Sequence, residues 1–188
     1  MAILSQGSWQ TPLGEARIDS DLAAALACAC PRLREDARAH EREHSLEVQI
    51  PFLQHQAPKL RFVPILLGTN TYSELEELGS AIARVIAAQG ERILVIASSD
   101  MNHYESDAIT RIKDARVIAR IVDLDPGGLF STVRSEGITM CGCSAATAML
   151  VALRALGATR TQVTRYATSG DVTGDLDEVV GYAGIIGW

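Results

Sequence analysis

The chain has 188 residues, of which 47% are hydrophobic and 21% are charged, and this composition predicts one folded domain and excludes an intrinsically disordered protein. The formal net charge is −6, with 17 Lys and Arg residues scattered along the chain, so we do not expect it to bind nucleic acid. Because no apolar run approaches the roughly 20 residues of a membrane span and no signal peptide pattern opens the chain, we expect a cytoplasmic protein.

The first part of the chain predicts two helices and one strand. A helix over residues 19–30 is indicated by an Asp-Ser cap, an Ala-rich run and a proline directly after it. A second helix starts near His44, and Pro51 kinks it or begins its second part. Residues 61–67 form an apolar run typical of a buried strand, and Pro64 within it indicates an edge position or a bulge.

The rest of the chain alternates between helix and strand patterns. Residues 92–98 give the clearest buried strand, and the polar run at 98–106 lies at its C-terminal end, where α/β sheets place their functional groups. The other predicted elements are helices over 73–89, 108–122, 126–135 and 143–156, and strands over 162–168 and 179–186. This alternation predicts the α/β class, with a mostly buried, mixed central sheet flanked by helices.

The polar run after strand 92–98 contains the main catalytic candidates, Asp100 and His103. An imidazole near a carboxylate can act as a general acid or base at neutral pH. The structural alternative is a loop capped by its own short polar side chains. His44 and Glu47 are a weaker pair of pocket candidates, because on a helix they would share one face, although a histidine at a helix start more often serves as a cap.

Two further segments could line a pocket. Cys141 precedes the helix predicted over 143–156, where the helix dipole favours anions and thiolates, although burial of its thiol is an equal alternative. Ser169, Gly170 and Asp171 lie in a loop rich in small polar residues after a strand, which suits close approach to a ligand but also fits a plain turn.

Five segments, taken in order, resemble the Memo family, known in prokaryotes as AmmeMemoRadiSam system protein B. The resemblance implies the fold of the class III extradiol dioxygenases, which hold Fe(II) by two histidines and a carboxylate. It identifies His103 with the acid/base histidine of those enzymes and Asp171 with the loop that supplies the C-terminal metal ligand. Val172 stands where animal members have a cysteine, and valine cannot bind a metal. The matching segments are WxTPLG at 9–14, EHSLExQxPFL at 43–53, SSDMxHY at 98–104, MCG at 140–142 and YATSGDVxGD at 166–175.

The family's two N-terminal metal-binding motifs, His-Ala-Gly-Tyr and Pro-Asn/Ser-His, do not occur in this sequence. We therefore expect residues 1–188 to form one Memo-like domain that lacks the family's N-terminal strands and binds Fe(II), Cu or Zn weakly. A late start codon, a gene fragment and a true short form would each explain the difference. Absence of those strands would uncover association surfaces, so we also expect a homo-oligomer or a partner.

Three functions remain open at this point. The first is a Memo-family protein with a metal-associated pocket for Fe(II) or Cu and redox or dioxygenase-type chemistry. The second is a non-catalytic module that binds a small molecule or a protein, and the third is a metal-dependent hydrolase. The resemblance also implies a radical-SAM protein and an AMMECR-type protein as partners. In each case we expect His44, Asp100, His103 and the loop at 169–171 to converge at the C-terminal edge of the sheet.

Overall fold

The computed structural model describes residues 1–90 and 92–188, and the chain divides into two compact units. One unit consists of Met1–Asn70 and Arg84–Ile93, and the other of Thr71–Ala83 and Leu94–Trp188. The predicted α/β class is confirmed, although the described strands form three small sheets in place of one continuous sheet. That residues 1–188 act as a single domain stays a prediction. Across the described ranges, no helix has the length and apolarity needed to cross a membrane.

In the described residues of the first unit, six short strands form two mixed sheets. They are Ala2–Ile3 (β1), Ser8–Thr11 (β2), Gly14–Ile18 (β3), Arg34–Glu35 (β4), Arg61–Phe62 (β5) and Ile65–Leu66 (β6). The sheet orders are β4-β1-β6 and β2-β3-β5. Pro64 divides the strand predicted over 61–67, because proline has no N–H to donate, and the two pieces pair in different sheets.

The helices of the first unit follow their capping signals. Helix α1 covers Ser20–Ala29, and the Asp19 side chain accepts a hydrogen bond from the Leu22 N–H at 3.1 Å, as predicted. The helix predicted from His44 begins later, with a 3₁₀ turn over Glu47–Gln49 that leads into α2 over Ile50–Gln56. Pro51 lies in the first turn of α2, where its missing N–H costs nothing, so it starts the helix instead of kinking it.

Most of the remaining elements agree closely with the sequence patterns, whereas the strand at 103–105 and the helical turn at 170–173 were not predicted. The helices are α3 (Tyr72–Ala88), which is divided between the two units, α4 (Asp107–Val122), α5 (Pro126–Ser135), α6 (Cys143–Ala155) and the single turn α7 (Gly170–Thr173). The strands β7 (His103–Glu105), β8 (Thr161–Thr168) and β9 (Val179–Gly187) form an antiparallel sheet of order β7-β9-β8.

The core of the second unit lies among α4, α5 and α6. Val117, Leu129 and Leu150 from these helices are at most 1% exposed. Met101 and Met140 join the same cluster from two separate loops, one before β7 and one before α6. Burial of these two side chains fixes both loops at the edge of the core, so the polar residues beside them are presented at its rim.

The prediction of a strand at 92–98 is wrong, because residues 92–98 form no strand in the part of the chain that the structure describes. Leu94 is 75% exposed and Ile96 39% exposed, whereas their neighbours Ile93 and Val95 are half-buried. The alternating exposure is that of an extended segment with one covered face. The composition favours a strand, but a strand also requires a neighbour that satisfies its backbone groups.

Candidate functional site

Asp100, His103 and Cys141 lie together in the second unit, and we call them the Asp–His–Cys cluster. Each offers one ligand atom, and the three atoms lie within 4.8 Å of one another. The His103 Nε2 and the Asp100 Oδ2 are 3.5 Å apart. The imidazole is largely covered, with its side chain 13% exposed, whereas the Asp100 side chain is 48% exposed. The cluster is therefore open to solvent on its carboxylate side.

Hydrogen bonds between backbone N–H groups and side chains join the two loops that carry the cluster. The Ser99 hydroxyl accepts a hydrogen bond from the Gly142 N–H at 2.8 Å and donates to the Asp100 carbonyl at 2.6 Å. The Asp100 N–H donates to the Cys141 sulfur at 3.2 Å. A Cβ on Gly142 would lie 2.4 Å from the Ser98 carbonyl oxygen, so only glycine allows this approach. These contacts hold the thiol beside the carboxylate.

The ring of His103 is fixed by a second hydrogen bond. Its Nδ1 lies 2.7 Å from the carbonyl oxygen of Thr139, and because a carbonyl only accepts, Nδ1 carries the proton. In the neutral ring, Nε2 is then an acceptor that faces another acceptor, the Asp100 carboxylate. Two facing acceptors repel each other unless a positive charge lies between them. A second proton or a metal ion can supply that charge.

Tyr104 is the extra residue of a β-bulge in β7. The pairing of β7 with β9 shifts between His103 and Glu105, and Tyr104 has a φ of 62°, in the left-handed region that non-glycine residues rarely adopt. Its ring is 75% exposed and lies 5.5 Å from the His103 ring. The bulge thus displays an aromatic side chain next to the imidazole.

A buried polar network lies behind the cluster and centres on Asp114, which is fully buried. Its carboxylate accepts from the Asn102 N–H at 2.9 Å and from the Tyr166 hydroxyl at 2.8 Å. Burial raises the pKa of Asp114 above its usual value, and the two hydrogen bonds oppose this change. Burial together with the carboxylate also raises the pKa of Tyr166. The network connects α4 and β8 to the residue that precedes His103.

Asp171 has strong partners of its own in the second unit. Its carboxylate accepts from the Thr168 N–H and from Arg111 Nη2, each at 2.8 Å, and these two bonds hold the pKa of Asp171 below its usual value. Arg111 also binds Asp107 at 2.7 Å and lowers the pKa of that carboxyl. Among the residues that the structure describes, Asp171 does not belong to the group that could share one ion. Its assignment as a metal ligand stays a prediction.

The neighbouring loop residues stabilise the turn between β8 and β9. The Ser169 hydroxyl accepts from the Val180 N–H at 3.1 Å. Gly170 is buried, and a Cβ there would lie 2.7 Å from the carbonyl oxygen of Asp175. Both observations give Ser169 and Gly170 a structural role in this turn, and their role in a pocket stays a prediction.

His44 and Glu47 belong to the first unit, and both are exposed. His44 precedes the 3₁₀ turn, so it does not share a helix face with Glu47. Glu43 caps this turn, since its carboxylate accepts from the Leu46 N–H at 2.9 Å. The convergence of His44 with the loops of the second unit stays a prediction.

Sequence reasoning missed two features of the histidines. His40, which the sequence did not single out, is only 8% exposed; its Nδ1 donates to the Asp36 carbonyl at 2.9 Å, and its ring lies 6.5 Å from that of Trp9. Thr139 was not a candidate, although it contacts His103 through both its carbonyl and its hydroxyl. No local pattern marks a residue that acts through its carbonyl.

The cysteines near α6 differ in environment. Cys141 is exposed and belongs to the cluster, whereas Cys143 is half-buried at the start of α6. Burial raises the pKa of Cys143, so this thiol follows the alternative of burial and not the activation by the helix dipole.

Comparison with known proteins identifies the family. The family model described as Memo-like protein matches residues 1–186. MEMO1 family proteins of Caldivirga maquilingensis and Methanopyrus kandleri are each 42% identical to the chain, over 98% and 99% of its length. One from Methanothermobacter thermautotrophicus is 40% identical over 97% of it. The chain spans 65–66% of the length of these relatives. Because the family model matches residues 1–186 and these relatives are at least 40% identical, this chain belongs to the Memo family.

Proposed function

We propose that the Asp–His–Cys cluster binds one divalent transition-metal ion and that the protein uses it for redox or dioxygenase-type chemistry. The observation that carries the proposal is the hydrogen bond from His103 Nδ1 to the Thr139 carbonyl. This bond leaves the lone pair of Nε2 directed toward Asp100, next to Cys141. Histidines that bind metals in proteins are commonly held in this way, with the other ring nitrogen donating to a carbonyl or a carboxylate.

The spacing of the cluster fits a metal ion. Two atoms that each lie about 2.1 Å from a tetrahedral ion are about 3.4 Å apart. The His103 Nε2 and Asp100 Oδ2 are 3.5 Å apart, so a small adjustment would let both bind the same ion. The Cys141 sulfur lies within 4.8 Å of both atoms and is exposed, so it has room to move closer.

The donor set selects the kind of metal. One sulfur, one nitrogen and one oxygen ligand suit Fe(II), Cu or Zn better than Mg²⁺ or Ca²⁺, which prefer oxygen alone. Such an ion, when bound, would supply Lewis acidity and, for Fe or Cu, one-electron chemistry at its open positions. With three protein ligands, the half-exposed side of Asp100 leaves access for a small molecule. The family resemblance implies Fe(II) or Cu as the metal but an acid/base role for His103, so the use of His103 as a ligand is part of this proposal.

The test is the metal content and affinity of the purified chain. Because Cys141 adds a third ligand, we expect tighter binding than the sequence alone indicates, with about one ion of Fe, Cu or Zn per chain after reconstitution and desalting, measured by elemental analysis. His103→Gln, Asp100→Asn and Cys141→Ser should each lower the affinity at least about tenfold. Cys143→Ser is the matched thiol control, because Cys143 lies outside the cluster, and it should bind like the unchanged chain.

Two outcomes would redirect the proposal. A chain that is folded but binds none of the three metals would favour the non-catalytic binding module. Asp171→Asn tests whether Asp171, the ligand that the family resemblance implies, also binds the ion. Loss of binding in that variant would assign the carboxylate to the ion, whereas unchanged binding would leave it with Arg111.

A further inference from the structure

Asn102 is the one fully buried residue between the cluster residues Asp100 and His103. Its side-chain NH₂ donates to the Glu105 carboxylate at 2.7 Å and to the Thr110 hydroxyl at 3.3 Å. Its side-chain oxygen accepts from the Thr139 N–H at 3.2 Å and shares the single proton of the Thr139 hydroxyl with the His103 carbonyl, since both oxygens lie 3.2 Å from that hydroxyl. Both donors and both acceptor positions of the amide are therefore used, which is the condition under which a buried asparagine is stable.

The backbone of Asn102 is held as firmly as its side chain. Its N–H donates to Asp114, and its carbonyl accepts from the Gly181 N–H in β9, each at 2.9 Å. A Cβ on Gly181 would lie 1.8 Å from the Asp114 carboxylate, so the approach of β9 requires glycine at that position. Asn102 is thus a fixed point of the second unit.

Thr139 connects this fixed point to the imidazole. Its hydroxyl accepts from the His103 N–H at 2.7 Å, and its carbonyl accepts from His103 Nδ1 at 2.7 Å. The Asn102 amide oxygen accepts from the Thr139 N–H and also lies within hydrogen-bond distance of the Thr139 hydroxyl. The direction of the Thr139 carbonyl, and with it the proton on Nδ1, therefore depends on the asparagine.

We propose that Asn102 is a positioning residue that, through Thr139, keeps His103 in the tautomer with Nδ1 protonated and Nε2 free. Neither Asn102 nor Thr139 needs to touch an ion or a substrate for this role. The tautomer is a property of the metal-free chain. Only the affinity measurement described below rests on the proposed function.

The residue type is required by the chemistry of the position. A carboxylate at 102 would keep the acceptor for Thr139, but it would lose the donors for Glu105 and Thr110 and place a second negative charge beside Glu105. An aliphatic residue would leave the Thr139 N–H and hydroxyl without this acceptor. An amide serves both sides at once.

The experiment measures the tautomer directly by NMR. The chain has only four histidines, so ¹⁵N-histidine labelling gives four imidazoles, and His103→Gln assigns the signal of interest. At a pH where the imidazole is neutral, we expect a protonated Nδ1 and an unprotonated Nε2 for His103. In Asn102→Ala, the two nitrogens should move toward the averaged shifts of a mixture of tautomers. The metal affinity should then fall about 10- to 100-fold.

Thr139 supplies the second variant pair, in case Asn102→Ala fails to fold. Thr139→Val removes the hydroxyl that binds both Asn102 and His103, and it should shift the tautomer in the same direction. Thr139→Ser keeps the hydroxyl and should restore the pattern of the unchanged chain. A folded Asn102→Ala or Thr139→Val variant whose His103 nitrogens match the unchanged chain would overturn the proposal. A tautomer change without any metal binding would support the positioning role and refute only the proposed metal site.

Discussion

Replacement of Gly142 by alanine tests how closely the two loops of the cluster must approach. The added Cβ would lie 2.4 Å from the Ser98 carbonyl oxygen and 2.5 Å from the Ser99 Cβ, whereas ordinary contacts begin near 3.4 Å. The backbone at Gly142, with φ −95° and ψ 23°, is open to alanine, so the clash is the only obstacle. The two loops must therefore separate by about 1 Å.

The expected cost follows from that separation. Overpacking of this kind destabilises a protein by about 1–3 kcal/mol, and loss of the hydrogen bond from Gly142 to Ser99 adds about 1 kcal/mol. We therefore expect Gly142→Ala to lower the free energy of unfolding by about 2–4 kcal/mol, measured by urea denaturation. Because Cys141 moves with its neighbour, metal affinity should fall as well.

Gly127→Ala is the matched control in the same unit. Gly127 also lies near a helix N-terminus, but its added Cβ would meet its nearest neighbour, the Tyr72 hydroxyl, at an ordinary 3.7 Å. We expect this variant to unfold within about 0.5 kcal/mol of the unchanged chain. If Gly142→Ala proved equally stable and bound metal equally well, the reasoning from close approach of the two loops would be refuted.

Three further predictions concern charge and association. Burial raises the pKa of Asp114, so the free energy of unfolding should fall as the pH rises above about 4 toward that raised pKa. In Asp114→Asn, the free energy of unfolding measured by urea denaturation should change less with pH over this range. The pKa of Asp171 is lowered, so its ionised carboxylate contributes to folding stability above about pH 3.8, and this contribution is lost as the pH falls below that value. The melting temperature of Asp171→Asn should therefore decrease less on acidification than that of the unchanged chain. The exposed Leu94 and Ile96 should promote self-association of the chain. Light scattering should show less association when both are replaced by lysine, and a strictly monomeric unchanged chain would contradict this prediction.

Local patterns predicted most helices, because the signals that start and end them are encoded in neighbouring residues. Asp19 caps α1, and Pro126 opens α5 at its first position. Strands were less predictable, because pairing depends on residues far away in the sequence. Pro64 indicated an edge position or a bulge, but nothing local showed that it would divide the segment into two strands that join different sheets. The segment at 92–98 has strand composition without a strand partner in the described residues.

The candidate site was predicted in part. The polar run after residue 98 identified Asp100 and His103 correctly as neighbours, since they are close in sequence. The approach of Cys141 depends on tertiary packing, because Met101 and Met140 anchor the two loops in one core. The hydrogen bonds of Asp171 with Arg111 depend equally on the fold, and no sequence pattern indicated them.

The bulge at Tyr104 places a side chain next to the site that takes no part in the pairing of β7 with β9. His103 pairs with Val180 and Glu105 with Val179, so the ladder is complete without the residue between them. Tyr104 can therefore be exchanged without disturbing the strand, and its exposed ring lies 5.5 Å from the imidazole. A fluorescent amino acid at this position would report events at His103 optically, in a chain whose hydrogen bonds are otherwise unchanged.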